Sequence, residues 1–227
     1  MKKANMNKVK ISIALNILIF ILVVASIIMM FTGFKFMPGD DLVLESTNLG
    51  MFRFFTVDSN AFMGIVALLF SIVELGLLND KITEIPKKYY ILKIMGTTAV
   101  ALTFFVVVTY LAPVIPNGFI LLFMNSNLLF HLIIPLLSIF TFILFEKTDA
   151  LTFKNSFLGI VPTFLYEIYY LINILIHMEN GKVSPLYDWY MFLQNGVWTA
   201  VIVAPLMIAI TYVISFVIWK LNRNNNK

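Results

Sequence analysis

Cysteine is absent from the 227-residue chain, which excludes disulfide staples, thiolate nucleophiles and Cys-ligated zinc or iron–sulfur sites. Histidine is nearly absent: His131 and His177 are the only two. The HExxH pairing of a helical zinc site does not occur, so a metal set drawn from His131, His177, Glu167 and Asp58 lacks the i, i+4 spacing of ligands. No GxSxG elbow, phosphate loop or glycine-rich dinucleotide fingerprint occurs, and nothing calls for a cofactor. Charge is scarce too. Asp, Glu, Lys and Arg make up 12% of the residues, against roughly 25% in soluble domains. The net +4 falls in short clusters between apolar runs and gives no nucleic-acid footprint.

What remains is oil. Hydrophobic residues make up 60% of the chain and the mean hydropathy is +0.93, more apolar surface than a water-soluble core can hide. Since roughly 20 apolar residues cross a bilayer, the length admits about six spans and no separate soluble domain. The expectation is one all-α domain over 1–227, a six-span helical bundle. Its segments run from about Ile11 to Phe34, Phe54 to Leu78, Tyr90 to Ile115, Phe119 to Phe145, Phe157 to Ile176, and Val197 to Trp219. The polar triplet Asn125, Ser126 and Asn127 interrupts the fourth, which could begin near Asn125. The N-terminal run is too long for a cleaved signal and reads as an uncleaved first span. The Asn-rich C-terminal tail reads as a disordered end.

Basic residues sort by side. Of the 16, only Lys35, Arg53 and Lys182 fall outside the ends and the second and fourth connections. Lysine and arginine are retained in the cytoplasm, so both termini are expected to be cytosolic, which requires an even number of spans. Two long outer connections remain, the second carrying Tyr187, Trp189, Tyr190 and Phe192. These aromatics fit an interfacial belt or a lid over a site. The bias towards Lys, Asn, Ile and Phe points to an AT-rich bacterial genome and a plasma membrane. No internal repeat speaks for a repeat-built transporter.

Ionisable groups inside spans are expensive and mark functional candidates. Here they are Asp58, Glu74, His131 and Glu167, with Thr56, Asn60, Asn173 and Gln194 beside them. Glu167 falls near mid-depth and the others, Glu74 apart, in the outer half of their spans, implying a polar pocket open to the outer leaflet. The inner half holds little besides Glu74, Asn16, Thr97 and Thr98. Thr56, Asn60, Met63 and Ala67 follow the helical repeat, and Tyr166, Tyr169, Tyr170 and Asn173 form a stripe on the fifth span. Plainer readings exist. Thr56, Asp58 and Ser59 could cap the second helix, Asn60 could bond between helices, and His131 could answer the kink at Pro135. Glu167 could pair with a tyrosine, and Glu74 could reach water at the cytosolic edge.

A hydroxyl attacks only when a base removes its proton, and histidine suits that task near neutrality. Thr56 and His131 lie at compatible depths, so the pair could open a lipid ester, with Asp58 or Glu167 orienting the base and Asn60 or backbone N–H groups holding the oxyanion. The segments "FFTVDSN" and "FHLIIP" in a six-span chain of this size resemble the androgen-induced-gene family of integral-membrane threonine hydrolases and small bacterial membrane proteins related to it. The resemblance implies an intramembrane lipid-ester hydrolase with Thr56 as nucleophile and His131 as base, membrane lipids or an amphiphile being the partner. Two other classes stay open. One is a binding or proton-coupled transport protein using Glu167 and His131; the other is a non-catalytic membrane partner.

Overall fold

The computed structural model describes residues 3–38, 48–178, 180–191, 193 and 196–223. Phe192, Gln194 and the end of the Asn-rich tail, on which three of the expectations fall, lie outside the described residues. Six helices are long and apolar enough to cross a bilayer: Met6–Thr32, Phe55–Leu78, Lys87–Val114, Asn125–Leu144, Phe153–Ile176 and Val197–Asn222, the first to sixth spans. The chain is an all-α, multi-pass integral membrane protein. The fourth span starts at Asn125 because Gly118–Leu121 makes a separate single turn, and the backbone reverses through extended Met124.

Six spans bring the start of the first and the end of the sixth to one end of the bundle, the terminal end. Side chains confirm it, since Ser12 bonds the Glu146 carboxylate and Asn222 bonds the Glu146 carbonyl. The third span is the central rod: 61% of its most apolar window is buried, against 17% for the sixth. Its run of Gly96, Thr97, Thr98 and Ala99 explains this, because small residues let helix backbones approach in lipid. The tightest approach lies at Gly159, where a Cβ would stand 2.1 Å from Ser215 Oγ and 2.9 Å from Thr98 Oγ1. Outward faces such as Ile65, Leu69 and Ile72 on the second span are exposed, as lipid-facing residues should be.

Proline shapes the third and fourth spans alike. Pro113 and Pro135 cannot donate to the carbonyls of Thr109 and His131. The turn before each proline widens into π geometry, Val107–Leu111 and Leu129–Ile133. There Ala112 and Ile134 donate to carbonyls five residues back, those of Val107 and Leu129. Such π turns recur at functional sites.

Two expectations are corrected. Thr56, Asp58 and Ser59 do not cap the second span: Phe54 is its N-cap, with no side-chain cap bond. Instead Ser59 Oγ donates to the Thr56 carbonyl at 3.1 Å and shares a bond with the Thr103 hydroxyl at 3.2 Å. The terminal half is also far from sparse. Lys93, which reads in sequence as a flanking charge, is fully buried and pairs with Glu146 at 2.9 Å. Asn16 Nδ2 and Ser12 Oγ donate to the same carboxylate at 2.6 and 3.1 Å, Lys93 donates to Asn16 Oδ1 at 2.5 Å, and buried Glu74 lies within electrostatic reach.

Candidate functional site

At the far end of the bundle the spans diverge around a cavity of about 810 Å³, within the usual range for small-molecule sites. Its wall is mainly apolar, with Met29 and Met30 from the first span, Leu102 and Val106 from the third, and Val203 and Leu206 from the sixth. Polar side chains interrupt it at several points, Lys35, Ser126 and Asn127 included. Among them are Thr56, Thr163, Tyr166 and Glu167, and His131, which belongs to the π turn of the fourth span. An apolar ligand body with one polar end suits such a lining. Beneath the chamber, fully buried Met63, Ala67, Val100, Phe130 and Ile134 form a plug. Ten residues separate Thr103 on the chamber wall from Lys93, or about 15 Å of helix rise.

His131 is held by its backbone surroundings. Its Nδ1 lies 2.7 Å from the Leu122 carbonyl oxygen, and a carbonyl can only accept, so Nδ1 carries the hydrogen and Nε2 is left as an acceptor. Among the described residues Nε2 makes no hydrogen bond. The Leu122 carbonyl is available because the short turn Gly118–Leu121 ends there. Orientation of the ring thus falls to a backbone carbonyl; neither Asp58 nor Glu167 bonds it. Among the described residues the Thr56 hydroxyl likewise makes no hydrogen bond, and no direct bond joins it to His131. Glu167 Oε1 is buried without a partner.

The remaining expected residues separate. Asn60 does not line the chamber. Its amide donates to the Thr56 carbonyl at 2.8 Å and the Phe130 carbonyl at 3.3 Å, which spends both hydrogens and leaves none for an oxyanion. This clamp ties the nucleophile candidate's own carbonyl to the residue preceding His131. Asp58 is half-buried on the second span outside the chamber lining. Asn173 also stands outside it, reaching the Tyr187 carbonyl at 3.5 Å. His177 stacks on Tyr187, ring centroids 3.7 Å apart. Among the described residues no three His, Asp or Glu side chains gather to hold a metal.

The second long connection folds over the chamber as a lid. Fully buried Asp188 accepts from the Tyr170 hydroxyl at 2.5 Å and the Leu193 N–H at 2.9 Å. Tyr190 donates its N–H to Tyr170 at 2.8 Å, and its hydroxyl accepts the Phe55 N–H at 3.1 Å, satisfying the start of the second span. Trp189 Nε1 donates to Tyr166 at 3.2 Å, and Tyr166 in turn donates to the Arg53 carbonyl at 2.5 Å. Burial pushes the Tyr190 hydroxyl up to about 12, so it stays neutral. Tyr190 and Met191 form part of the chamber wall.

Two participants were not evident from sequence. Asn125 Oδ1 accepts the N–H groups of Phe36 and Met37 at 2.8 and 2.7 Å, pinning the segment after the first span beside the chamber; its place in the polar triplet at the start of the fourth span was its only signal in the sequence. The Leu122 carbonyl had none. No protein-family model, curated protein or solved structure matches the chain, so the chamber itself has to carry the functional reading.

Proposed function

We propose that the protein is a lipid-directed hydrolase or acyltransferase acting in the outer leaflet of a plasma membrane, with its terminal end in the cytosol. The carrying observation is a histidine whose Nδ1–H is committed to Leu122 while Nε2 stays a free acceptor in the cavity that Thr56 also lines. In the proposed step Thr56 Oγ attacks the ester carbonyl carbon as its proton passes to His131 Nε2. The imidazolium then returns that proton to the departing alkoxide, leaving an acyl-threonine. Water or a second alcohol, deprotonated by the same nitrogen, releases the acyl group.

Each part has a physical support. The apolar wall suits an acyl chain, and catalytic hydrogen bonds commonly tighten only in the substrate complex. With Asn60 committed elsewhere and the N–H groups of Phe55, Val57 and Asp58 already bonded, the Thr56 N–H is the first-turn donor that remains for the oxyanion. Glu167, with its unpartnered oxygen, supplies a polar contact for the ligand's hydrophilic end. The resemblance of "FFTVDSN" and "FHLIIP" to the androgen-induced-gene family points to the same chemistry.

The test is labelling of purified protein by a fluorophosphonate together with turnover of a lipid ester. Both signals are expected in the wild type and lost in Thr56→Ala and His131→Ala. Retained labelling in both monodisperse variants removes the assignment. One observation favours a second reading, a proton-coupled carrier: the terminal half contains a buried charged cluster, where a conduit needs polar groups. For that reading, gradient-driven uptake has to vanish in Glu167→Gln.

A further inference from the structure

The terminal end holds buried chemistry for which the chamber has no use. Two carboxylates, Glu74 and Glu146, and one ammonium, Lys93, are buried together; the residues are 2%, 3% and 0% exposed. Taken fully ionised, the trio carries one negative charge too many, and an uncompensated ion at that burial is costly. The hydrogen bonds show which carboxylate is ionised. Glu146 Oε1 accepts from Ser12, Asn16 and Lys93, three donors that favour the charged form. One oxygen of each carboxylate, Glu74 Oε2 and Glu146 Oε2, is buried with no partner, and Ser12 and Asn16 also lie beside Glu74; what separates the two is the ammonium, which pairs directly with Glu146.

Among the described residues the other elements offer no second cation beside Glu74. The first span contributes Ser12 and Asn16, the third Tyr90 besides Lys93, the fourth connection Thr148, and the sixth Asn222. We propose that Glu74 is a proton-binding site: one proton on its carboxyl neutralises the Lys93–Glu146–Glu74 cluster and exchanges with water at the terminal end. Glu74 stands one turn from the end of the second span at Leu78, so the path to solvent is short. The site is separated from the chamber by the apolar plug and stands whether or not Thr56 is a nucleophile.

Infrared difference spectroscopy across pH, on the full chain in lipid nanodiscs, reads this proton directly. At neutral pH the wild type should show the C=O band of a protonated carboxylic acid that shifts in D2O and disappears on alkaline titration. The band should be lost in Glu74→Gln, displaced but kept in Glu74→Asp, and retained in Glu167→Gln and Asp58→Asn. Lys93→Met should roughly double it, because removing the ammonium draws a second proton onto Glu146. The proposal is overturned if the wild type shows no such band, if the band survives in Glu74→Gln, or if sodium replaces it at constant pH, which would assign the place to a metal cation.

Discussion

Consider Lys93→Met, which keeps the length of the side chain and deletes its ammonium. Both partners of the Lys93–Glu146 bridge are inaccessible to solvent, so the change strands a carboxylate between Ser12 and Asn16 rather than releasing it to water. Breaking a buried pair from one side costs about 3–5 kcal/mol. Removing both charges should cost far less, since an apolar pair of similar volume is often neutral or better. The double variant Lys93→Met/Glu146→Met should therefore unfold closer to wild type than either single variant. A double-mutant cycle measured by denaturant unfolding in mixed micelles gives the coupling directly. Protonation relieves a stranded carboxylate, so the Lys93→Met defect should shrink as pH falls. A single-variant cost below about 1 kcal/mol, or additive single variants, would refute the picture of a desolvated ion pair.

Other outcomes follow from the same coordinates. Asn60→Ala removes the clamp between Thr56 and Phe130, and should lower lipid-ester turnover through kcat more than KM while leaving the helices folded by circular dichroism. Tyr170→Phe deprives buried Asp188 of its hydroxyl donor at a cost of about 1–3 kcal/mol, seen as faster proteolysis between residues 180 and 191. Gly159→Ala forces a Cβ against Ser215 and Thr98 and should destabilise by roughly 1–3 kcal/mol in thermal unfolding. The Tyr190 hydroxyl sits at about 12 when folded and near 10 when unfolded. The folded chain thus holds the extra proton, and the lid contribution should be constant below about pH 10 and fall between 10 and 12; exchange protection of the Phe55 amide monitors it.

Much of the architecture was legible because a bilayer punishes interruption: each span is an apolar run of the necessary length, bounded by lysines or turn residues. Proline made His131 conspicuous, four residues ahead of Pro135. The Thr56, Asn60, Met63, Ala67 repeat placed those residues on one stripe, yet it could not tell that the start of the stripe opens on the chamber while Asn60 bonds the fourth span. The charged cluster was invisible for another reason. Lys93 in "KKYYILK" and Glu146 in "FEKTD" carry the sequence marks of flanking charges. Only the packing of the first, third, fourth and sixth spans carries them inside. The lid followed the same logic, since its aromatic residues suit a headgroup belt equally well until Asp188 is seen beneath them.

The paired π turns have a mechanical consequence. Each interrupts the regular ladder just before a proline, in the half of its helix that walls the chamber, so compliance is concentrated at a single level of two neighbouring rods. Load applied from the covered mouth would be absorbed there as bending, while the rigid stems below, riveted by Lys93 and Glu146, stay still. The vessel therefore has a yielding rim on a stiff base, and a bulky guest can be admitted without loosening the foundation.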